Sequence, residues 1–574
     1  MPLHPRYFAD RFYRYDELMQ FLRAVARAHP RLVRLHTIGR SHQGRDLVVV
    51  EITQRASGKP EEKPAYWIDA NIHASELSGS AAALYTIDYL TRRHGSDPEI
   101  THLLETRTFY ILPRLSPDGA EHCLTTGEHL RSSVRPFPFD ELPEGLRETD
   151  VNGDGEILQM RIEDPLGGWA ISEHDQRLMR KRKPGERKGP FYRLYREGVF
   201  ERYDGFHQPV PPSRFGLDFN RNWPYRWEPP HRQFGAGLAP LSEPETRAVA
   251  EFIIAHPNIG GITTYHTFSG VVIRPYSDRP DKEMPIEDRL AYEAIATRGN
   301  RLSGYPLVSC FHQFTYEEGK PIVGVFDDWA YDHRGIITYT IELWSPAKAA
   351  GVEVKDYIAF FKERPEEEML KFLRWNDSEL GGRGFKPWAP FRHPQLGQIE
   401  IGGWRWLRFW SNPPADMLEE VCRANMYFTL VHAASTPCLR IAEFTADPVA
   451  PGLRKVTLVV ENTGFLPTNI TRIALDHQLV RPVIVELALP NHGTELLMGK
   501  TRTEIGQLSG TGILDEWESS RWAEGVPRSN RARVEWLVRG PGALAVEVKS
   551  ERAGVVRAQI GAGASRPSRR SASG

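Results

Sequence analysis

His73 and Glu76 stand three positions apart in "IDANIHASELSG", directly after an apolar run. Two imidazoles and a carboxylate, with water in the fourth position, are a common donor set of hydrolytic zinc sites. His73 and Glu76 offer two of these donors. His266, a polar residue inside the strand-like run "TTYHTFSG", offers the third. Each has a plainer reading alone: a histidine bonded to a nearby acid, or a core histidine bonded to its neighbour. Glu342 changes the balance. It sits in "IITYTIELW", and an ionised carboxylate within a strand is costly unless it is paired or used. Pairing with an arginine is one solution. Taking a proton from a metal-bound water and returning it to a leaving amine is the other. Four such residues at the ends of candidate strands favour metal-assisted hydrolysis.

The elements that must position them read as a layered α/β arrangement. Residues 15–29 form a helix with Leu18, Phe21, Leu22 and Val25 on one face. "DLVVVEIT" and "PAYWIDANI" are strands, the second ending near His73, and "GSAAALYTIDYLTRR" is a helix. "TRTFYILPRL" is a further strand, closed by the turn "SPDG". Ser242 and Glu245 have capping-box spacing before the next helix. "GITTYHTFSGVVIRP" and "GIITYTIELW" are strand-like.

Taken together, these motifs resemble the zinc metallocarboxypeptidases of the pancreatic type. "HASE" is similar to that family's first ligand motif, "YHTFSG" to the strand with its third ligand, and "YTIEL" to the strand with its catalytic glutamate. "HTIGRSHQGRDLVVVEI" and "PRLSPDG" also resemble it, and the similarity runs in family order over about residues 10–436. The resemblance implies a mixed, mostly parallel eight-stranded sheet flanked by helices. It implies one catalytic Zn2+ held by His73, Glu76 and His266, with Glu342 as general base in the hydrolysis of C-terminal peptide bonds. "GLDFNRNWPY" is similar to the family's Asn-Arg motif, so Asn220 and Arg221 would bind the substrate's free carboxylate; arginine's planar fork suits that task. "RLMRKRKPG" resembles the family's basic segment and offers Arg180 to stabilise the oxyanion. Arg177, Lys181 and Arg182 permit other registers, and plain surface charge is the competing reading.

The family's substrate-capping tyrosine has no counterpart at its usual distance; Tyr316 is the nearest, as a cap on a longer loop or as a packing aromatic. Asp327 lies near the family's specificity position, where an acid favours basic side chains, although Asp327 or Asp328 also suits a turn cap. In "DVNGDGEILQMRI", Asp150, Asn152 and Asp154 begin a calcium-loop pattern. Arg161 stands where the bidentate glutamate belongs, so a metal-free Asx- and Gly-rich turn competes with a structural Ca2+ site.

The chain of 574 residues is too long for one core. Residues 1–436 are expected to form the catalytic unit, with an insertion over about 116–217 at the mouth of the site. Residues 437–560 carry short alternating strands without helices between them and are expected to form a β-sandwich, and 561–574 a disordered tail. A formal charge of -1 excludes a broad basic field for nucleic acid. Four scattered cysteines form no CxxC pair, and no run reaches transmembrane length. The N-terminus lacks an apolar signal-peptide core, so cytoplasmic residence is the expectation. Two rival functions accompany the carboxypeptidase reading: a zinc amidase acting on cell-wall peptides or modified side chains, and a non-catalytic binding protein. Retention of all the proposed ligands and Glu342 disfavours the second.

Overall fold

Eight apolar strands assemble into one sheet in a computed structural model, which describes residues 5–138, 144–315, 320–354, 360, 363–490, 493–512 and 529–561. In chain order they are β1 (Val33–Arg40), β2 (Asp46–Ile52), β3 (Ala65–Ala70), β4 (Thr108–Leu112), β5 (Ile259–Thr267), β6 (Val271–Arg274), β7 (Leu307–Ser309) and β8 (Ile337–Leu343). Their spatial order is β1-β2-β4-β3-β5-β8-β6-β7. The pairs β3/β4, β3/β5, β5/β8 and β6/β7 are parallel, the other three antiparallel. Every residue of β3, β5 and β8 is buried, as parallel strands covered on both faces must be. Helix Leu77–Arg93 packs on β3 and β5, and helix Ala415–Ser435 packs on it in turn. Helix Tyr15–Ala28 buries Leu18, Phe21, Leu22 and Val25, the stripe expected from its sequence, and Met19 beside them.

Two local expectations are corrected. "SPDG" does not simply close a strand: Ser116 precedes helix Pro117–Thr126, because Pro117 at the first helical position suits a helix start. The Ser242–Glu245 capping box does not form either. Pro244 shifts the cap to Glu243, and the Glu245 carboxylate turns inward to accept the His42 amide at 2.9 Å.

The region around 116–217 contributes four strands to a second, six-stranded antiparallel sheet. Its order is Phe385–His393, Gly397–Trp404, Gln159–Glu163, Phe191–Arg196, Trp169–Ile171 and Met179–Lys181. Thus a hairpin far downstream completes the insertion, which the sequence reading did not foresee. Of the two readings of the segment 150–155, the metal-free turn is the one the hydrogen bonds support, with nothing among the described residues in favour of a Ca2+ site. The Asp150 carboxylate accepts the amides of Gly153 and Gly155, each at 2.7 Å, Asn152 Oδ1 accepts the Asp154 amide at 2.9 Å, and Asp154 Oδ2 meets Lys386 Nζ at 2.5 Å. The oxygens that would bind a cation are occupied by backbone donors and a lysine, so the segment is an Asx turn.

After the helix ends at Ser435, the chain forms two four-stranded antiparallel sheets. Val456, Leu458, Val485, Val546 and Trp536 fill the space between them, the inward half of a period-two pattern. Of the expected tail, 561–574, residues 562–574 lie outside the described residues.

This C-terminal unit is pinned to the α/β sheet by Arg552, which is 1% exposed. Its guanidinium donates to the carbonyls of Ile259 and Arg334, each at 2.7 Å. Burial lowers its pKa to about 10. Arg552→Met is expected to strand both carbonyls without a donor, at about 1–3 kcal/mol each. Urea unfolding of the variant should show a loss of about 2–6 kcal/mol; an unchanged midpoint would remove Arg552 from the interface's support.

Candidate metal centre

β3 ends at Ala70, and the next residue, Asn71, takes a left-handed backbone (φ 62°) that asparagine tolerates better than most. Its side-chain amide donates to the carbonyls of His73, Ala74 and Glu76 at 2.8, 3.1 and 3.3 Å. One amide therefore shapes the whole ligand loop. Residues 131–132 brace it from outside: the Ala74 amide donates to the Arg131 carbonyl at 2.7 Å and Ser132 Oγ to the Ile72 carbonyl at 2.9 Å. Gly119 permits this packing, since a Cβ there would lie 2.2 Å from the Ser132 oxygen and 2.6 Å from the Ala74 Cβ.

His266 is the penultimate residue of β5, and Glu342 is its register partner on parallel β8. Partners in parallel register project to the same face, so the sheet sets the acid beside the histidine. His73 Nδ1 lies 2.8 Å from Glu76 Oε1, His266 Nδ1 lies 3.2 Å from Glu76 Oε2, and the two Nδ1 atoms are 3.1 Å apart. Donors placed tetrahedrally at zinc–nitrogen and zinc–oxygen bond lengths stand about 3.3 Å from one another. The three side chains are buried and converge on one point, so they fit a zinc ion. His73 Nε2 faces Asp218 Oδ1 at 3.1 Å. A proton on Nε2 donated to that carboxylate leaves the Nδ1 lone pair for the metal.

Charge follows geometry. Burial raises the Glu76 pKa, but the imidazoles of His73 and His266 outweigh it and hold the carboxylate well below its usual range. Burial likewise opposes ionisation of Asp218, and Arg131 and Arg221 override it. Glu342 is pushed up to about 8, first by burial and then by the Glu76 charge. A divalent cation beside it favours the ionised form. Glu342 Oε2 and His266 Nε2 have no hydrogen-bond partner among the described residues.

A cavity of about 50 Å³ opens here, lined by His73, His266, Glu342, Asn220, Arg221 and Asp327. The structure thus brings together seven of the residues expected from sequence, Glu76 included. Asp218 caps the turn Phe219–Arg221 by accepting the Asn220 amide at 2.8 Å. Asn220 Oδ1 accepts the Phe326 amide at 2.9 Å, leaving its NH2 as the donor end. Asp327 sits near the start of helix Phe326–Asp332 and accepts Thr340 Oγ1 at 3.2 Å, while neighbouring Asp328 accepts the Ser277 amide. Burial raises the pKa of both acids.

Arg180 is not brought to this cavity. It lies on the edge strand Met179–Lys181 of the six-stranded sheet, and its guanidinium is paired with Glu186 at 2.6 and 3.0 Å. None of the five basic residues of that run lines the cavity; Arg131 does. Arg131 reaches Asp218 Oδ2 at 2.9 Å and Glu76 Oε1 at 3.5 Å. The sequence reading missed it, and "HLRSSVRP" offers no periodicity or charge cluster to flag it. Tyr316 lies outside the described residues.

Asp218→Asn is expected to weaken zinc binding about 10- to 100-fold, the usual effect of losing the carboxylate behind a ligand histidine. Competition with a chelator of known affinity checks this, and unchanged affinity would deny Asp218 its orienting role.

The chain is similar to mouse carboxypeptidase A2, at 24% identity over 57% of this chain and 61% of that protein. It is 21% identical to a zinc carboxypeptidase of Saccharothrix mutabilis subsp. capreolus, over 64% of this chain and 70% of that one. Mouse carboxypeptidase M matches at 35% identity, over 19% of this chain and 25% of that protein. Among solved structures, carboxypeptidase A of Helicoverpa armigera matches at 17% identity over 66% of this chain and 75% of that one, with a TM-score of 0.39. The chain spans under two thirds of the length of mouse carboxypeptidase A2. The cytoplasmic expectation is overturned, because the relatives carboxypeptidases A2, M and D are secreted or membrane-associated enzymes. Among the described residues, no helix is long and apolar enough to cross a membrane. Residues 438–561 match a domain of unknown function. The zinc carboxypeptidase profile matches residues 18–364, more than half of the chain and the stretch that contains His73, Glu76, His266 and Glu342; the chain belongs to that family.

Proposed function

We propose that this protein is a zinc-dependent carboxypeptidase that removes the terminal residue from peptides with a free carboxylate. The observation that carries the reading is the meeting of three features in one cavity: the convergent metal donors, the buried acid Glu342, and the Asn220–Arg221 pair. Residues 1–436 form the catalytic unit and 437–560 an accessory one. The helix that ends at Ser435 and the strand that begins at Leu439 support this division.

Zinc held by His73, Glu76 and His266 would supply a lowered water pKa and a polarised carbonyl. Arg221 and the Asn220 amide hold the terminal carboxylate and so place the last peptide bond against Glu342. Glu342 takes a proton from the attacking water and delivers it to the departing nitrogen. Arg131, on the cavity wall beside Glu76, stabilises the negative charge on the carbonyl oxygen as water adds. Asp327 lies among Ile273, Cys310, Ile322 and Val325. A buried acid in an apolar wall is matched by a cationic side chain, so peptides ending in Lys or Arg are the preferred substrates.

Arg221→Ala is expected to lower kcat/KM for free-acid peptides about 30-fold or more, since truncating one partner of a buried charged pair costs about 2 kcal/mol at least. Their C-terminal amides should be poor substrates for the natural enzyme. Cleavage of acid and amide at equal rates would move the assignment to an amidase.

A further inference from the structure

A second cavity, of about 310 Å³, adjoins the ligand loop and shares no lining residue with the metal cavity. That volume is at the lower end of small-ligand sites. Three indoles, Trp404, Trp406 and Trp410, with Phe360 and the Met369 side chain, form its apolar wall. Residues 406–410 wind as a single π turn, a form that recurs at functional sites. The indoles of Trp406 and Trp410 lie 6.3 Å apart between centroids and 31° from parallel, with Trp404 edge-on to Trp410 at 5.7 Å. Of the charged groups on the wall, Arg196 and Glu148 pair at 3.3 Å and cancel, while Arg364 adds a guanidinium, which favours the face of an aromatic ring over an aliphatic side chain.

Two contacts tie the chamber to the metal centre. His129 lines it and hydrogen-bonds through Nε2 to Oγ of Ser75, which lies between the ligands His73 and Glu76, at 3.0 Å. Trp406 packs edge-on against Phe268, two residues beyond His266, at 5.7 Å. The terminal residue of a bound peptide is claimed by Asn220, Arg221 and Asp327, so the acyl portion must leave the scissile bond in another direction. The chamber offers that room. Its indoles lie beyond residue 364, where the match to the zinc carboxypeptidase profile ends.

We infer that this chamber is an acyl-side subsite that takes an aromatic side chain immediately before the scissile bond. Aromatic rings gain from edge-to-face and offset contacts at centroid separations of about 4.5–7 Å, and three indoles supply them. The assignment rests on the carboxypeptidase reading of the metal centre and extends it to the substrate's other side.

The test compares acetyl-Phe-Lys with acetyl-Gly-Lys. The natural enzyme should favour the Phe peptide at least tenfold in kcat/KM. Trp410→Ala should bring the ratio close to one, and Trp410→Phe should restore most of it. Trp406→Leu serves the same purpose should Trp410→Ala misfold. Calorimetry with the zinc-loaded Glu342→Gln variant separates binding from turnover: the Phe peptide should bind at least tenfold more tightly. Equal affinities, or a preference that survives both tryptophan substitutions, overturn the subsite. Discriminating binding without hydrolysis of either peptide by the natural enzyme would overturn the carboxypeptidase reading alone.

Discussion

Glu342→Gln is expected to lower peptide turnover about 100- to 10,000-fold, the range for loss of a positioned acid–base group. Glutamine keeps the shape of the side chain and its place on β8, in register with His266. It cannot accept the water proton at neutral pH. Oε2 of Glu342 has no hydrogen-bond partner among the described residues, so the amide disrupts no contact of that oxygen. Removing a charge that burial disfavours should leave stability equal or slightly higher. Zinc content should stay at one per chain, because Glu342 is not one of the three convergent ligands. Metal analysis and kcat, measured on the same preparation, decide the matter. Full turnover would strip Glu342 of its role, whereas parallel loss of zinc and activity would make it a ligand instead.

Chelation should have the second large effect. Removing zinc is expected to abolish hydrolysis and to lower stability, with both restored by adding one equivalent back. A ligand bound only by the folded state stabilises by about 4 kcal/mol at a thousandfold excess over Kd. The ion would join a loop that follows β3 to the end of β5, a tie between separate elements of the sheet. His266→Ala should show the same two losses without a chelator, and zinc should rescue neither. Hydrolysis that persists in the chelated enzyme would exclude a catalytic metal.

The four central residues were legible because each is polar in an apolar setting. His266 and Glu342 interrupt strands that are otherwise buried throughout, and such an interruption requires a reason. Arg131 was not legible. It lies in a segment without regular structure, and its value comes from tertiary neighbours, Asp218 and Glu76. Arg180 drew attention because it stands among several cations, where a motif admits several registers. The calcium pattern failed for a related reason: Asp150 and Asn152 can satisfy their oxygens from the local backbone as readily as from an ion. The strand Phe385–His393 was hidden by Pro387 and Pro390, which argue against a central strand. It is an edge strand, where prolines are tolerated.

The six-stranded sheet has a consequence for how the protein is made. Arg161 on one strand pairs with Glu400 on its neighbour at 2.7 Å, across 239 positions of chain. At about 5–20 residues per second, the ribosome needs on the order of ten to fifty seconds to travel that distance. Throughout that interval the strand Gln159–Glu163 emerges with one edge bare, a template for wrong partners. Both His266 and Glu342 are synthesised within it. Glu342, the last of the metal centre's residues, therefore leaves the ribosome before the strand Gly397–Trp404 and the indoles of Trp404, Trp406 and Trp410 have been made.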